Sequence, residues 1–290
     1  MKSSRRLATK PAAKKTAGPA VSPKKRSVSR TRTVAVDRPA NSGTTVRLLD
    51  RAIDLLECLE RNRTPMGVRA LEAATGISKA TAQRLLDAFE RRGYVQKDRG
   101  RYMLAPATVR LARSYLAGDS LVTVAMPVMQ HLAALSGETS GLYVRHGFDR
   151  LLIQQVEGPH PLRHNTPIGE RVPLHLGTSG QVLCAGMAKE DLETYVDSLG
   201  PIQLASGKVL RRKDLIARCE QVRRQGFAVA VDERFAGIAG VAAPIVHISR
   251  GVVAAVNIAG PSVRMKDALE QLSFEVRNAA RDISDQLNRL

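Results

Sequence analysis

The sequence predicts an α+β chain in which short helices and a basic hairpin come first and an antiparallel sheet covered by helices follows. Three observations predict it. Hydrophobic residues recur at steps of three and four through residues 46–135, the spacing that gathers them on one helix face. Between residues 141 and 259 the repeat gives way to short β-prone runs separated by Gly, Ser and Asp turns, as in antiparallel hairpins. Glycines stand just past the helix-like segments at Gly76, Gly93, Gly137 and Gly226, where a left-handed residue ends a helix.

At 290 residues with 43% apolar side chains, the chain is long enough for two domains with real cores. Its 45 basic and 27 acidic side chains leave a net charge of +18. Residues 1–45 carry 12 basic and 1 acidic side chain, residues 46–113 carry 14 and 8, and residues 114–290 carry 19 and 18. A polyanion is drawn to the first 113 residues by counterion release, and the near-neutral remainder suits a different task. Only 3% of residues are aromatic and tryptophan is absent, which disfavours a single-strand binder built on base stacking. Cys58, Cys184 and Cys219 are far apart in the chain and suggest separate buried thiols in a reducing cytoplasm, with no redox pair or metal site. No apolar run reaches the roughly 18 residues of a membrane span, so a soluble cytoplasmic protein without membrane contact, metal or cofactor is expected.

Residues 1–45 are rich in Lys, Arg, Pro, Ala, Ser and Thr, so a disordered basic tail is expected. Three roles compete for it. It could add DNA affinity without sequence preference, be a solvated extension with no role, or target an organelle, the last opposed by prolines and lysines that prevent an amphipathic helix. Pro23-Lys24-Lys25-Arg26 also resembles a nuclear signal, a pattern that basic runs reach by chance. Order begins near Val46, and Leu49, Ile53, Leu56 and Leu59 or Glu60 line one face of a first helix that Thr64-Pro65 ends.

A second helix spans Val68 to Thr75, a tight turn follows at Gly76-Ile77, and the Ser78 hydroxyl is placed to cap a third helix over residues 79–92. In the third, Ala82, Leu85, Leu86 and Phe89 form the buried stripe, which turns Lys79, Thr81, Gln83 and Arg84 outward. Long polar and cationic side chains near a helix N-terminus are those that read base edges in a major groove. Beyond Gly93, the runs 94–97 and 101–104 flank a turn at Asp98-Arg99-Gly100, a hairpin whose Arg99 and Arg101 can reach phosphate. Helix, glycine turn, polar helix and basic hairpin in that order make a winged helix-turn-helix over residues 46–105. Its candidate contacts to double-stranded DNA are Ser78, Lys79, Thr81, Gln83, Arg84, Arg99 and Arg101. The alternative is a solvated helical hairpin with a charged face.

A connecting helix is expected from Ala107 to Ala117, a break at Gly118-Asp119-Ser120, and a further helix from Leu121 to Leu135 that stops at Gly137. Strands are expected over residues 141–145 and 151–156. The segment 169–180 then leads through a small-residue turn into a helix from Gln181, whose N-terminal amides form an anion site. A helix over 211–225 is followed by a strand to Glu233. Two apolar strands, 240–247 and 252–259, turn at Ser249-Arg250-Gly251, and an amphipathic helix from Met265 to Leu290 closes the chain. Strands joined by hairpins and covered by helices give an α+β sandwich.

The runs Ser78 to Leu86, Arg92-Gly93-Tyr94-Val95, Val172 to Gly180, Gly226 to Glu233, and Gly240 to Pro244 with Ile258 to Pro261 resemble, in content and order, the motifs of the IclR family of bacterial transcriptional regulators over residues 46–288. The resemblance implies a winged helix-turn-helix, a linker helix at residues 106–119, and a GAF-like effector-binding and oligomerisation domain at residues 120–290. It implies homodimers or tetramers on operator DNA, association with the nucleoid, and no enzymatic activity. It further implies a repressor whose operator binding is modulated by a small organic acid lined by Thr178, Ser179, Ala230, Gly240, Asn257 and Ala259. Members that take two- or three-carbon acids are polar at the last four positions. Here three of those four are Ala or Gly, so a larger, less polar pocket for a bulkier acid, an aromatic one included, is expected. Close packing of strands and helix explains the small residues equally well.

Other chemistry finds less support. Gly177-Thr178-Ser179-Gly180 lacks the glycine that a hydrolase elbow needs two places after its serine, where Gln181 stands. Pro159 and Pro161 forbid a helix that would pair His160 with His164 as metal ligands; solvated loop histidines are expected. His175 is expected to be structural, and Asp232-Glu233 to cap or bridge elements. The competing function is a nonspecific architectural DNA binder driven by the basic tail.

Overall fold

The computed structural model describes residues 44–290 except Arg63; the expectations for residues 1–43 lie outside the described residues. The first helix, α1 (Thr44–Asn62), precedes a short strand β1 (Met66–Gly67), then α2 (Val68–Thr75) and α3 (Lys79–Arg91). Strands β2 (Val95–Asp98) and β3 (Arg101–Leu104) form the wing, with β3 between β1 and β2. Arg99 and Gly100 take φ of 47° and 76°, a turn with both central residues left-handed, which matches the twist of a two-residue hairpin and which Gly100 adopts without strain. Leu55, Leu71, Leu86 and Tyr102 are fully buried at the centre of this unit.

The inward face of α1 differs from the sequence expectation. Ala52, Leu55, Cys58 and Leu59 are buried, whereas Leu49 and Ile53 are 60% and 41% exposed. Of the four apolar residues expected on one face, Leu59 is buried and Leu56 packs against the core, while Leu49 and Ile53 fall on a second, outer apolar stripe that repeats at the same helical spacing.

The linker helix α4 (Ala107–Gly118) and α5 (Ser120–Ser136) follow. Next come β4 (Thr139–His146), β5 (Asp149–Val156), β6 (Arg171–Pro173), α6 (Gly177–Ala185), α7 (Lys189–Asp197), the strand pair β7 (Ile202–Gln203) and β8 (Val209–Leu210), and α8 (Arg212–Gln225). β9 (Ala228–Val231), β10 (Ile238–His247), β11 (Gly251–Pro261), α9 (Ser262–Met265) and α10 (Leu269–Leu287) complete the chain. Six strands form one antiparallel sheet in the order β6-β5-β4-β11-β10-β9. Side chains alternate across it. Val241, Ala243 and Ile245 pack with α5 and α10, and Ala242, Ala228 and Ala255 pack beneath α6 and α8. The single closing helix expected from Met265 is instead α9, a 3₁₀ turn at Lys266–Ala268, and α10. The chain leaves β11 at a corner, where Arg264 grips Glu138 through both carboxylate oxygens at 2.5 and 2.9 Å. Among the described residues, no helix is long and apolar enough to cross a membrane.

Candidate nucleic-acid interface and ligand cavity

On α3, Ser78, Lys79 and Arg84 are exposed, as are Arg99 and Arg101 on the wing. Two members of the expected contact set are otherwise engaged. Gln83 is half-buried, and its side-chain amide donates to Asp87 Oδ1 at 2.7 Å and to the Tyr102 hydroxyl at 2.8 Å. It ties α3 to the wing and does not project outward as the helical pattern suggested, because the wing folds back over that side of the helix. Thr81 is half-buried and accepts from the Ser78 hydroxyl at 3.1 Å. Ser78 makes no side-chain cap. The Lys79 amide is instead met by Glu72 Oε1 at 2.9 Å, so the carboxylate of α2 caps α3 across the turn.

All six residues expected around a ligand, Thr178, Ser179, Ala230, Gly240, Asn257 and Ala259, line one cavity of about 60 Å³. The sheet brings them together: Gly240 pairs with Ala230 and with Ala259 in adjacent strands, and the N-terminus of α6 lies above them. The expectation of a less polar pocket is corrected here. Arg150, His164, Glu233 and Arg234 also line the cavity, with Tyr143 and Phe235. These arrive from β4, β5 and two irregular segments far apart in sequence, and no local pattern marks them.

Arg150 dominates the electrostatics. Only 5% exposed, it donates to the Leu176 carbonyl and lies 5.3 Å from the centre of the Tyr143 ring, yet its Nε has no hydrogen-bond partner. Burial pushes its pKa down to about 10. Gly180 makes room for it, since a Cβ there would stand 2.1 Å from the Leu174 carbonyl oxygen and 2.6 Å from Arg150 Nη1. Other charges nearby are matched. Arg234 pairs with Glu170 at 2.5 Å, and Arg218 with Glu233 at 2.6 Å. Glu233 also accepts from the Gly177 amide at 3.0 Å and from Gln181 at 3.1 Å, so it occupies part of the helix terminus that the sequence left open to an anion. Asp232-Glu233 thus bridges elements as expected. His164 is a cavity residue, not a solvated one; burial, then Arg234 and Arg150, lower its pKa.

His175 is structural. Its backbone amide donates to the Tyr195 hydroxyl at 3.0 Å, its Nδ1 lies 2.8 Å from the same oxygen, and burial, then Arg150, drive its pKa to about 4. Cys184 and Cys219 lie close enough across α6 and α8 to shift each other's titration, so the two thiols that the sequence separates are neighbours. Only the packing of the two helices makes them so.

Two family models match: the IclR helix-turn-helix domain over residues 48–99 and the C-terminal domain of the bacterial transcriptional regulator IclR over residues 113–285. The HTH-type transcriptional repressor AllR of Escherichia coli strain K12 is 30% identical over 242 residues, covering 82% of this chain and 89% of that protein. A transcriptional regulator from Rhodococcus sp. RHA1 superposes with a TM-score of 0.70 at 30% identity, covering 84% of this chain and 98% of its own. An IclR homolog from Microbacterium hydrocarbonoxydans, solved in complex with 4-hydroxybenzoate, gives 0.70 at 23% identity, covering 84% and 100%, and shares the fold. With both domains matched in order, this chain belongs to the IclR family of transcriptional regulators.

Proposed function

We propose that the chain represses transcription by binding operator DNA as paired copies, and that an organic acid seated in the cavity changes that binding. The buried guanidinium of Arg150 carries the ligand reading. A cation taken out of water without a carboxylate partner costs the fold several kcal/mol, and a ligand carboxylate in the cavity that Arg150 lines would offset that cost. Thr178 and Asn257 stand nearby to orient the remaining polar atoms. At about 60 Å³ the cavity holds a compact acid as it stands. An aromatic acid of the size of 4-hydroxybenzoate, the ligand in the Microbacterium complex, fits when Phe235, which lines the cavity and is 47% exposed, swings outward. The repressor reading follows AllR.

Lys79 and Arg84 would read bases or adjacent phosphates, Ser78 and Thr81 would touch the backbone, and Arg99 and Arg101 would anchor the wing. Gln83 would hold α3 against the wing. Two copies would meet along the outer stripe of α1 and set two recognition helices about 34 Å apart, one helical turn of DNA.

The test is selection of genomic fragments on the purified protein, followed by titration of the recovered sites with compact and aromatic monocarboxylates. A few short, near-palindromic sites and an acid that alters their affinity in the wild type but not in Arg150→Met are expected. Uniform recovery of fragments would sink the sequence-specific reading. An acid response that survives in Arg150→Met would remove Arg150 from the site.

A further inference from the structure

We propose a second binding site, for a small phosphorylated anion, in the groove between the C-terminal turn of α8, the free end of β10 and α10. The groove has a volume of about 430 Å³ and is lined by Arg223, Arg224, Arg277 and Arg281, with no Asp or Glu among its lining residues. It exists because β9 pairs with β10 only as far as Ala242. Beyond that point the place of a neighbouring strand is vacant, and the small residues Ala243, Pro244 and Ala280 form its floor.

Two of the arginines are anchored by the protein. Arg223 donates to the carbonyls of Ala185 and Met187 at 2.8 and 3.2 Å, and Arg277 reaches the Gln225 carbonyl at 3.5 Å. The other two, Arg224 and Arg281, make no hydrogen bond or ion pair among the described residues. Four like charges in one groove repel each other, and a compact anion of multiple charge relieves that repulsion. Planar guanidinium forks match phosphate oxygens in pairs, which favours a phosphate over a single carboxylate.

Other occupants fit less well. An added β-strand would need free backbone groups along β10, but the Val246 amide donates to Ser284 Oγ at 2.9 Å and its carbonyl accepts from Asn288 Nδ2 at 3.0 Å. Duplex DNA presents its charge over an extended path, whereas residues 114–290 carry 19 basic and 18 acidic side chains and offer it no long basic face. The groove is also separate from the ligand cavity, although α8 serves both, with Arg218 on Glu233 at one site and Arg223 and Arg224 at the other.

The experiment is calorimetric titration of full-length protein with inorganic pyrophosphate at physiological salt, comparing wild type with Arg224→Gln/Arg281→Gln. A saturable site in the wild type, weakened at least about tenfold in the double variant, is expected, with melting at or above the wild-type temperature and unchanged operator affinity in the absence of pyrophosphate. An equal isotherm in both proteins would place the anion on the other basic surfaces and overturn the proposal, as would the absence of a wild-type site. Loss of nonspecific duplex affinity in the variant, with pyrophosphate binding intact, would assign the groove to DNA backbone and overturn it as well.

Discussion

Arg150 and His175 show how single buried groups link stability to function. Burial lowers the Arg150 pKa from the ordinary guanidinium range to about 10, which corresponds to about 3 kcal/mol of cost for holding the charge inside. Both folded and unfolded chains carry that charge at neutral pH, so the cost is constant across the working range. Methionine has a similar reach and no charge to desolvate. In the absence of ligand, Arg150→Met should therefore melt at or above the wild-type temperature in a thermal scan. A fall of several degrees would show that the guanidinium braces Leu176 and is not held in wait for an anion. His175 works in the other direction with pH. Its folded pKa of about 4 lies below the ordinary 6.5, so the unfolded chain takes up its proton first. The stability contributed by the neutral ring is complete above about pH 6.5 and is lost as pH falls toward 4, an effect on the order of 2 kcal/mol for a partly shielded ring. Urea titrations should show His175→Gln losing less stability than the wild type over that interval. Parallel curves would mean that the His175 ring is not held out of water beside Arg150 in the folded protein.

Among the elements, α3 separates what local sequence reveals from what it hides. Its span, its buried Ala82 and Leu86, and the hairpin after it were legible, since each follows from near-neighbour spacing and turn chemistry. Its cap was not. Ser78 satisfied the local rule, but Glu72, one helix earlier, supplies the acceptor, and its negative charge suits the positive end of α3. Glu72→Ala should destabilise the winged unit by about 1 kcal/mol, while Ser78→Ala should cost less than half of that. Chemical denaturation of the two variants decides between them, and a larger loss for Ser78→Ala would restore the serine as the cap. The same distinction runs through the cavity. Thr178, Ser179, Ala230, Gly240, Asn257 and Ala259 were identified through resemblance to a family and are indeed neighbours. Glu233 was expected only as a bridge between elements, and Arg150 was not identified, because tertiary packing alone brings segments so distant in the chain to one cavity. α7 and the pair β7-β8 also escaped the sequence reading. α7 is only nine residues long and is dominated by Lys, Glu and Asp, and each of the two strands has only two residues.

At the scale of the whole molecule, the outer stripe of α1 is one apolar surface that a single copy leaves exposed. Val46, Leu49 and Ile53 are 48%, 60% and 41% exposed and stand at i, i+3 and i+7, the spacing of a helix seam. Apolar side chains in such a row lose free energy in water at about 25 cal/mol per Å² of exposed area, and pairing with the same stripe of a second copy buries both. In such a pair the recognition helices would act together. Each module alone holds DNA through few contacts, whereas a linked pair binds a double site with the second half made effectively intramolecular. Leu49→Asp combined with Ile53→Asp places like charges across that seam and leaves the buried face of Ala52, Leu55 and Leu59 untouched. Sedimentation should show a smaller assembly for the double variant with an unchanged melting profile. Its affinity for a full operator should fall at least about a hundredfold, within the range over which linked sites exceed single ones, while a half-operator is bound as by the wild type. If assembly size and full-operator affinity both stay at wild-type values, the copies pair elsewhere, and the stripe on α1 does not set the spacing of the recognition helices.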